Sequence, residues 1–133
     1  MQITKAFARI FGLWTLLAVL GMIANRQAAI DVLNAFFANA GLMWVTGLFT
    51  LLAGIVIVVM HNRWSGGALT VFVTVYGWLV LVKGISFVWL PASSQLAFYN
   101  SLHFDRYFYG YFVVSLVIGA YLTYGGFKRN PPA

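Results

Sequence analysis

Four stretches of this chain are long and apolar enough to cross a hydrocarbon layer, and no other feature constrains the fold as much. A helix spanning a core ~30 Å thick needs about 20 mostly apolar residues. The first stretch, residues 6–24, runs cleanly from Ile10 to Ala24 and is extended by Ala6 to Ala8 past Arg9, which must snorkel. The second, residues 41–60, carries no charge. The third, residues 68–90, contains only Lys83 and stops at Pro91, which cannot continue a helix. The fourth, residues 108–127, is uncharged and ends in Gly125-Gly126 before Lys128-Arg129. The expectation is an all-α membrane protein: one integral membrane domain over residues 1–133, with four transmembrane helices in an up-down bundle.

Composition closes the other routes. Of 133 residues, 62% are hydrophobic and 8% charged, against roughly a quarter charged in an average soluble domain. With a mean hydropathy of +0.90, too few polar side chains remain to cover a water-facing surface. Disorder is excluded by the same figures. The absence of cysteine removes disulfide scaffolds, zinc ribbons, iron–sulfur clusters and thiol catalysis. The net charge of +6 comes from basic residues set singly between apolar runs, so it reads as topology and not as nucleic-acid binding.

Lys5 and Arg9 before an apolar stretch resemble the start of a signal peptide, but Asn25-Arg26-Gln27 follows with no small-x-small cleavage site in place. Ala38-Asn39-Ala40 has that form too far downstream, so the first stretch reads as an anchor. Lys5, Arg9, Arg63, Lys128 and Arg129 fall on one side of four crossings without an acid. Arg26 and Arg106 share the other side with Asp31 and Asp105. The positive-inside rule then places both termini in the cytoplasm, and a bacterial inner membrane is the expected location.

Between the first two spans, Ala29, Ile30, Leu33, Phe36, Phe37 and Ala40 recur at helical spacing. That predicts either a short amphipathic helix in the outer interface or an outward extension of the first helix packed on the second. The second outer segment, 92–107, is polar at Ser93-Ser94-Gln95 and then aromatic through Phe98, Tyr99, Phe104 and Tyr107 into Phe108, Tyr109, Tyr111 and Phe112. An aromatic belt at the headgroups explains this, as does a contact surface for another subunit. The loop Asn62 to Gly67 is short enough to make the second and third spans an antiparallel hairpin. No internal repeat or inverted symmetry is visible.

Lys83 is the first candidate for function, because an ionisable group inside a span costs about 2.5–3.5 kcal/mol at the centre. It shares a helical face with Phe72, Tyr76 and Leu79, and lies about 12 Å below Pro91 at 1.5 Å per residue. Thr70, Thr74 and Gly77 lie toward the opposite side, with Gly84 at its edge; small residues admit a close helix there. Asp31 and Asp105 are its only acidic partners within the chain. The readings are a structural pair or snorkel, a contact to a lipid or partner group, and transport chemistry.

His61 and His103 fall at opposite membrane faces, which excludes a shared metal or haem in one chain. His61 is expected to complement the carbonyl-rich end of the second span as a cation. His103 near Asp105 has the makings of a pH sensor or metal ligand, against the commoner reading of a solvated loop histidine. Ser86 and Ser115 have no histidine or carboxylate at their depth, so nucleophilic catalysis has no support. Ser115, Gly119 and Thr123 form an i, i+4, i+8 stripe that reads as a packing seam. No phosphate-binding, dinucleotide or zinc-protease motif occurs.

The stretch His61-Asn62-x-Trp64, Thr74-x-x-Gly77-Trp78, Lys83-Gly84 and Pro91 resembles small four-span bacterial inner-membrane proteins of uncharacterised function. The resemblance covers the hairpin, implies a bacterial inner membrane, and brings no activity or functional residue with it.

The functional expectation is a non-enzymatic subunit or accessory factor of a larger membrane complex, working by helix packing. Its partners are the lipid bilayer and either copies of itself or other membrane subunits, with no nucleic acid and no cofactor. One alternative is an oligomeric small channel or transporter using Lys83 with Tyr76. Another is a lipid- or quinone-binding subunit using Trp78, Trp89 and Lys83 near the outer leaflet.

Overall fold

The computed structural model describes residues 2–103 and 105–129. Among them every regular element is helical: α1 (Gln2–Ala24), α2 (Arg26–Ala38), α3 (Ala40–Met60), α4 (Ala68–Trp89), α5 (Ala92–Ser101) and α6 (Phe108–Phe127). Helices α1, α3, α4 and α6 have 23, 21, 22 and 20 residues and are apolar enough to cross a membrane. At 1.5 Å per residue they reach about 30–35 Å. Helix α1 begins at Gln2, a turn earlier than its apolar pattern suggests.

Asparagines set the boundaries of α2. The chain breaks at Asn25, whose side chain accepts from the Ala28 N–H at 3.2 Å. Helix α2 is therefore a separate element and not a continuation of α1. Asn39 serves two helices: its N–H donates to the Phe36 carbonyl at 3.1 Å, and its Oδ1 accepts from the Leu42 N–H at 2.9 Å. A short side chain that accepts from a free backbone N–H is what a helix start requires. The loop into α4 turns at Gly66 and Gly67, with φ of +106° and +112°, where a side chain would be strained. Leu90 is extended, as the residue before Pro91 must be, and the Pro91 carbonyl then accepts the first bonds of α5. Helix α5 is absent from the sequence expectation, because Ala92 to Ser101 places no regular apolar stripe on one face.

Two antiparallel pairs, α1 with α6 and α3 with α4, dominate the packing. Both use the same device. Along α3 the seam meets Gly47 facing Phe87, then Leu51 facing Gly84, then Gly54 facing Leu81, then Ile57 facing Gly77. Each helix contributes glycines seven residues apart, so one sits at the seam every three to four residues, alternately from either side. A seven-residue period keeps a seam aligned between two helices, and small residues let the backbones close. On α1 and α6 the corresponding contacts are Gly126 with Ala8 and Arg9, Gly12 with Thr123, and Gly119 with Thr15 and Leu16.

The pairs meet directly at one end and are bridged by α2 at the other, where Phe36 and Phe37 pack on Phe87 of α4. At the end holding both termini, the base, Ala8, Val73 and Leu122 are buried with Phe7, Phe11 and Phe72 packed around them. At the opposite end, the cap, Val19, Ala29, Ile30, Phe108 and Phe112 form a second core. Helices α2 and α5 lie across the cap, tied by the Tyr99 hydroxyl donating to Asn34 at 2.9 Å and by Tyr99 stacked on Phe37 at 4.3 Å. Gln95 anchors α5 to α4 by donating to the Ser86 carbonyl at 2.6 Å. The aromatic crowd of the second outer segment thus divides: Tyr99, Phe108 and Phe112 are buried, whereas Phe98, Tyr107 and Tyr109 face outward. Phe104 lies outside the described residues.

Candidate functional site

Between the base and cap cores the two pairs leave a groove, and Lys83 stands at its upper end. Its ammonium lies 5.6 Å from the centre of the Phe87 ring, one turn nearer the cap. That upward reach is how a lysine in a span lifts its charge toward the interface. Among the described residues the ammonium has no hydrogen-bond or ion-pair partner. The acids are placed elsewhere. Asp31 accepts from Gln27 at 2.9 Å, and Asp105 lies in the cap beside Arg26, whose guanidinium donates to the Asp105 carbonyl.

Below Lys83 the groove follows the Lys83, Val80 and Tyr76 face of α4. One cleft of about 410 Å³ opens toward Ile118 of α6, and one of about 380 Å³ opens toward Ile10 and Trp14 of α1 and Phe49 of α3. Above Lys83 a third cleft, about 520 Å³, lies under α2 and α5 and presents Leu33, Phe37, Phe87 and Phe98 with the hydroxyl-bearing Ser86 and Ser94. All three share Lys83. The structure therefore brings Lys83 and Tyr76 into one groove, where the Tyr76 ring meets Phe11 at 4.9 Å.

Trp78 belongs to a different neighbourhood. Its indole N–H donates to Asn62 at 3.3 Å, alongside Trp64 at 2.9 Å, so it points to the base. Trp89 is exposed at the far end of α4, and the grouping of both tryptophans with Lys83 is not formed.

A polar cleft of about 550 Å³ in the cap gathers Arg26, Asn34, Tyr99, Asn100, His103 and Asp105. His103 adopts φ of +49°, a left-handed conformation uncommon outside glycine, as the chain turns out of α5. Burial, and then the Asp105 charge, push the Tyr99 hydroxyl above the usual phenol range, so it stays a donor to Asn34. Asp31 is exposed on α2 outside this cleft.

The candidate packing residues divide by role. Gly77 and Gly84 face α3, and Gly119 and Thr123 face α1. Thr70 is buried and donates to the Gly66 carbonyl at 3.2 Å, and Ser115 donates to the Tyr111 carbonyl at 3.1 Å, so both hydroxyls serve their own helix or its approach. Among the described residues the buried Thr123 hydroxyl has no hydrogen-bond partner.

His61 differs from its sequence expectation. It caps α3 through its backbone, donating to Ile57 at 2.7 Å, yet its side chain is 0% exposed and cannot act as a solvated cation. Thr4 lies 2.6 Å from Nε2 and Thr74 lies 3.2 Å from Nδ1. The single Thr74 proton is directed to the Arg63 carbonyl at 2.7 Å, so Nδ1 carries the proton toward Thr74 and Nε2 accepts from Thr4. Desolvation by burial, with the Arg63 charge adding to it, holds the imidazole below its ordinary 6.5. Thr4 and Thr74 were not legible as its partners, because the contact joins α1, α4 and the end of α3.

Among the described residues no group of three or more histidines and carboxylates is placed to hold a metal ion. No family model, curated protein or solved structure matches this chain.

Proposed function

We propose that this chain is a small non-enzymatic integral membrane protein of the bacterial inner membrane, acting as a subunit or accessory factor through association with other membrane components. In this reading α1, α3, α4 and α6 form an up-down bundle with the base in the cytoplasm, and α2 lies in the outer interface. The distribution of charge supports that orientation, since Lys5, Arg9, Arg63, Lys128 and Arg129 all belong to the base. The observation that carries the function is Lys83: a cation within a candidate span, facing an open groove, with no counter-charge beside it among the described residues. An intramembrane charge is retained against its cost when something engages it. The rest of the polar interior is spent on holding the helices together, as at His61 and Thr74.

Extraction of the native protein in mild detergent, with the intact mass read by native mass spectrometry, tests this. The expected particle is much heavier than one 14.8 kDa chain with its micelle. A monomer with no co-purifying protein would refute the subunit reading.

A further inference from the structure

We propose that the groove on the Lys83 face of α4 is a binding site for one anionic phospholipid of the cap-side leaflet. Its phosphate would meet the Lys83 ammonium and its acyl chains would lie along Val80 and Tyr76. The inference rests on the reading that Lys83 is engaged from outside the chain, and it names what engages it.

Three observations converge. First, charge complementarity: among the described residues Lys83 has no ion-pair or hydrogen-bond partner, and its ammonium lies over the Phe87 ring, one turn toward the depth at which phosphates lie. Second, the lining: all three clefts that share Lys83 are walled mainly by apolar side chains, Leu79, Val80, Ile118, Ile10 and Phe49 below it and Leu33, Phe37, Phe87 and Phe98 above it, and Lys83 is the one charged residue lining them. A ligand with a single anionic group on a hydrocarbon body matches that lining. Third, length: from Phe87 to Tyr76 is about 16 Å along α4, comparable with half of a ~30 Å hydrocarbon core, the depth of one leaflet. The two lower clefts, about 410 and 380 Å³, flank the same three side chains, so two chains descending from one headgroup have separate walls. Each volume lies within the ~300–1,000 Å³ range of small-molecule sites.

A carboxylate on a neighbouring helix is the competing counter-ion. A helix packed laterally on the exposed Lys83 face would supply it, and cross-linking distinguishes it from a lipid.

The test is native mass spectrometry of the full chain from mixed vesicles of phosphatidylglycerol and phosphatidylcholine, with the wild type compared with Lys83→Met, Lys83→Arg and Val80→Trp. The wild type should retain one phosphatidylglycerol with about a five- to tenfold preference over phosphatidylcholine, as one ammonium–phosphate contact near a membrane surface provides. Lys83→Met should lose the preference and Lys83→Arg keep it. Val80→Trp, which fills the groove while leaving the charge, should reduce retention of both lipids. Equal retention of the two lipids by the wild type, or an undiminished preference in Lys83→Met, overturns the site. So does carbodiimide cross-linking of Lys83 to a carboxylate of another chain. The same spectra report protein stoichiometry, so loss of the lipid with the assembly intact overturns this inference alone. A bare monomer that keeps its lipid overturns only the subunit reading.

Discussion

The hydroxyl of Thr4, at the start of α1, lies 2.6 Å from Nε2 of His61, at the end of α3. This contact, with Thr74 of α4 on the other ring nitrogen, pins the two glycine-seamed pairs together at the base. With the imidazole neutral, Nε2 accepts from Thr4 and Nδ1 donates to Thr74; protonation makes both nitrogens donors, so the Thr4 hydroxyl must turn from donating to accepting beside a charge closed off from solvent.

The base joint should therefore respond to pH. The folded imidazole is depressed below 6.5, so the folded protein binds fewer protons than the unfolded chain between the two values. Its contribution to stability is complete above 6.5 and is lost as pH falls from there through the folded value. The thermal midpoint in detergent should drop across that window, and His61→Asn should flatten the drop. A wild-type profile as flat as the variant's would show that His61 is not held neutral.

The seam glycines should tolerate a methyl poorly. A Cβ on Gly54 would lie 2.5 Å from Leu81 Cα, and one on Gly84 would meet the Leu51 backbone, so α3 and α4 must separate. Overpacking of this kind costs about 1–3 kcal/mol. Gly21→Ala and Gly110→Ala meet nothing within 4 Å and should be neutral, or stabilising by up to about 1 kcal/mol through helix propensity. Denaturation of the four variants side by side checks the contrast. Equal effects at seam and open sites would contradict the packing described.

Thr123→Val should stabilise. The hydroxyl is buried against Gly12 without a hydrogen-bond partner, and valine keeps the shape while removing the unsatisfied group. The gain expected is about 1 kcal/mol, read as a raised melting midpoint; a clear loss would point to a bonded hydroxyl.

Tyr99→Phe removes the bond to Asn34 and leaves the stack on Phe37. The cost to the cap should be about 0.5–1.5 kcal/mol. Hydrogen exchange should quicken in α2 and α5 while the α3–α4 seam stays protected. Uniform acceleration along the chain would mean that the cap does not open independently.

Much of the secondary structure was legible because it follows from local chemistry. Runs of apolar residues ended by Pro91 or by Lys128-Arg129 are read directly, and the recurrence of Ala29, Ile30 and Leu33 already signalled helix α2. Its limits at Asn25 and Asn39 emerged only with the structure, where each side chain caps the helix that follows it. Helix α5 was not legible. Pro91 sets it off, but Gln95 and Tyr99 are buried by contacts with Ser86 and Asn34, which lie in other helices. His61 was misread as a cation for the same reason: its neighbours in sequence are the end of α3 and Arg63, whereas its neighbours in space are Thr4, Phe7 and Thr74.

By itself the sequence determined that four helices are apolar enough to span a membrane, that the charges divide unevenly between their ends, and that Lys83 is the only charge of the third stretch. Hydropathy and charge are sums over neighbouring residues, and such sums need no partner. Only the tertiary structure decided which helices pair and what Lys83 faces. Gly47 with Gly54 and Gly77 with Gly84 repeat visibly along the chain, yet a repeat marks a face and not its occupant. The pairing of α1 with α6 leaves the groove above Tyr76 open, and an open groove is a property of two surfaces that fail to meet.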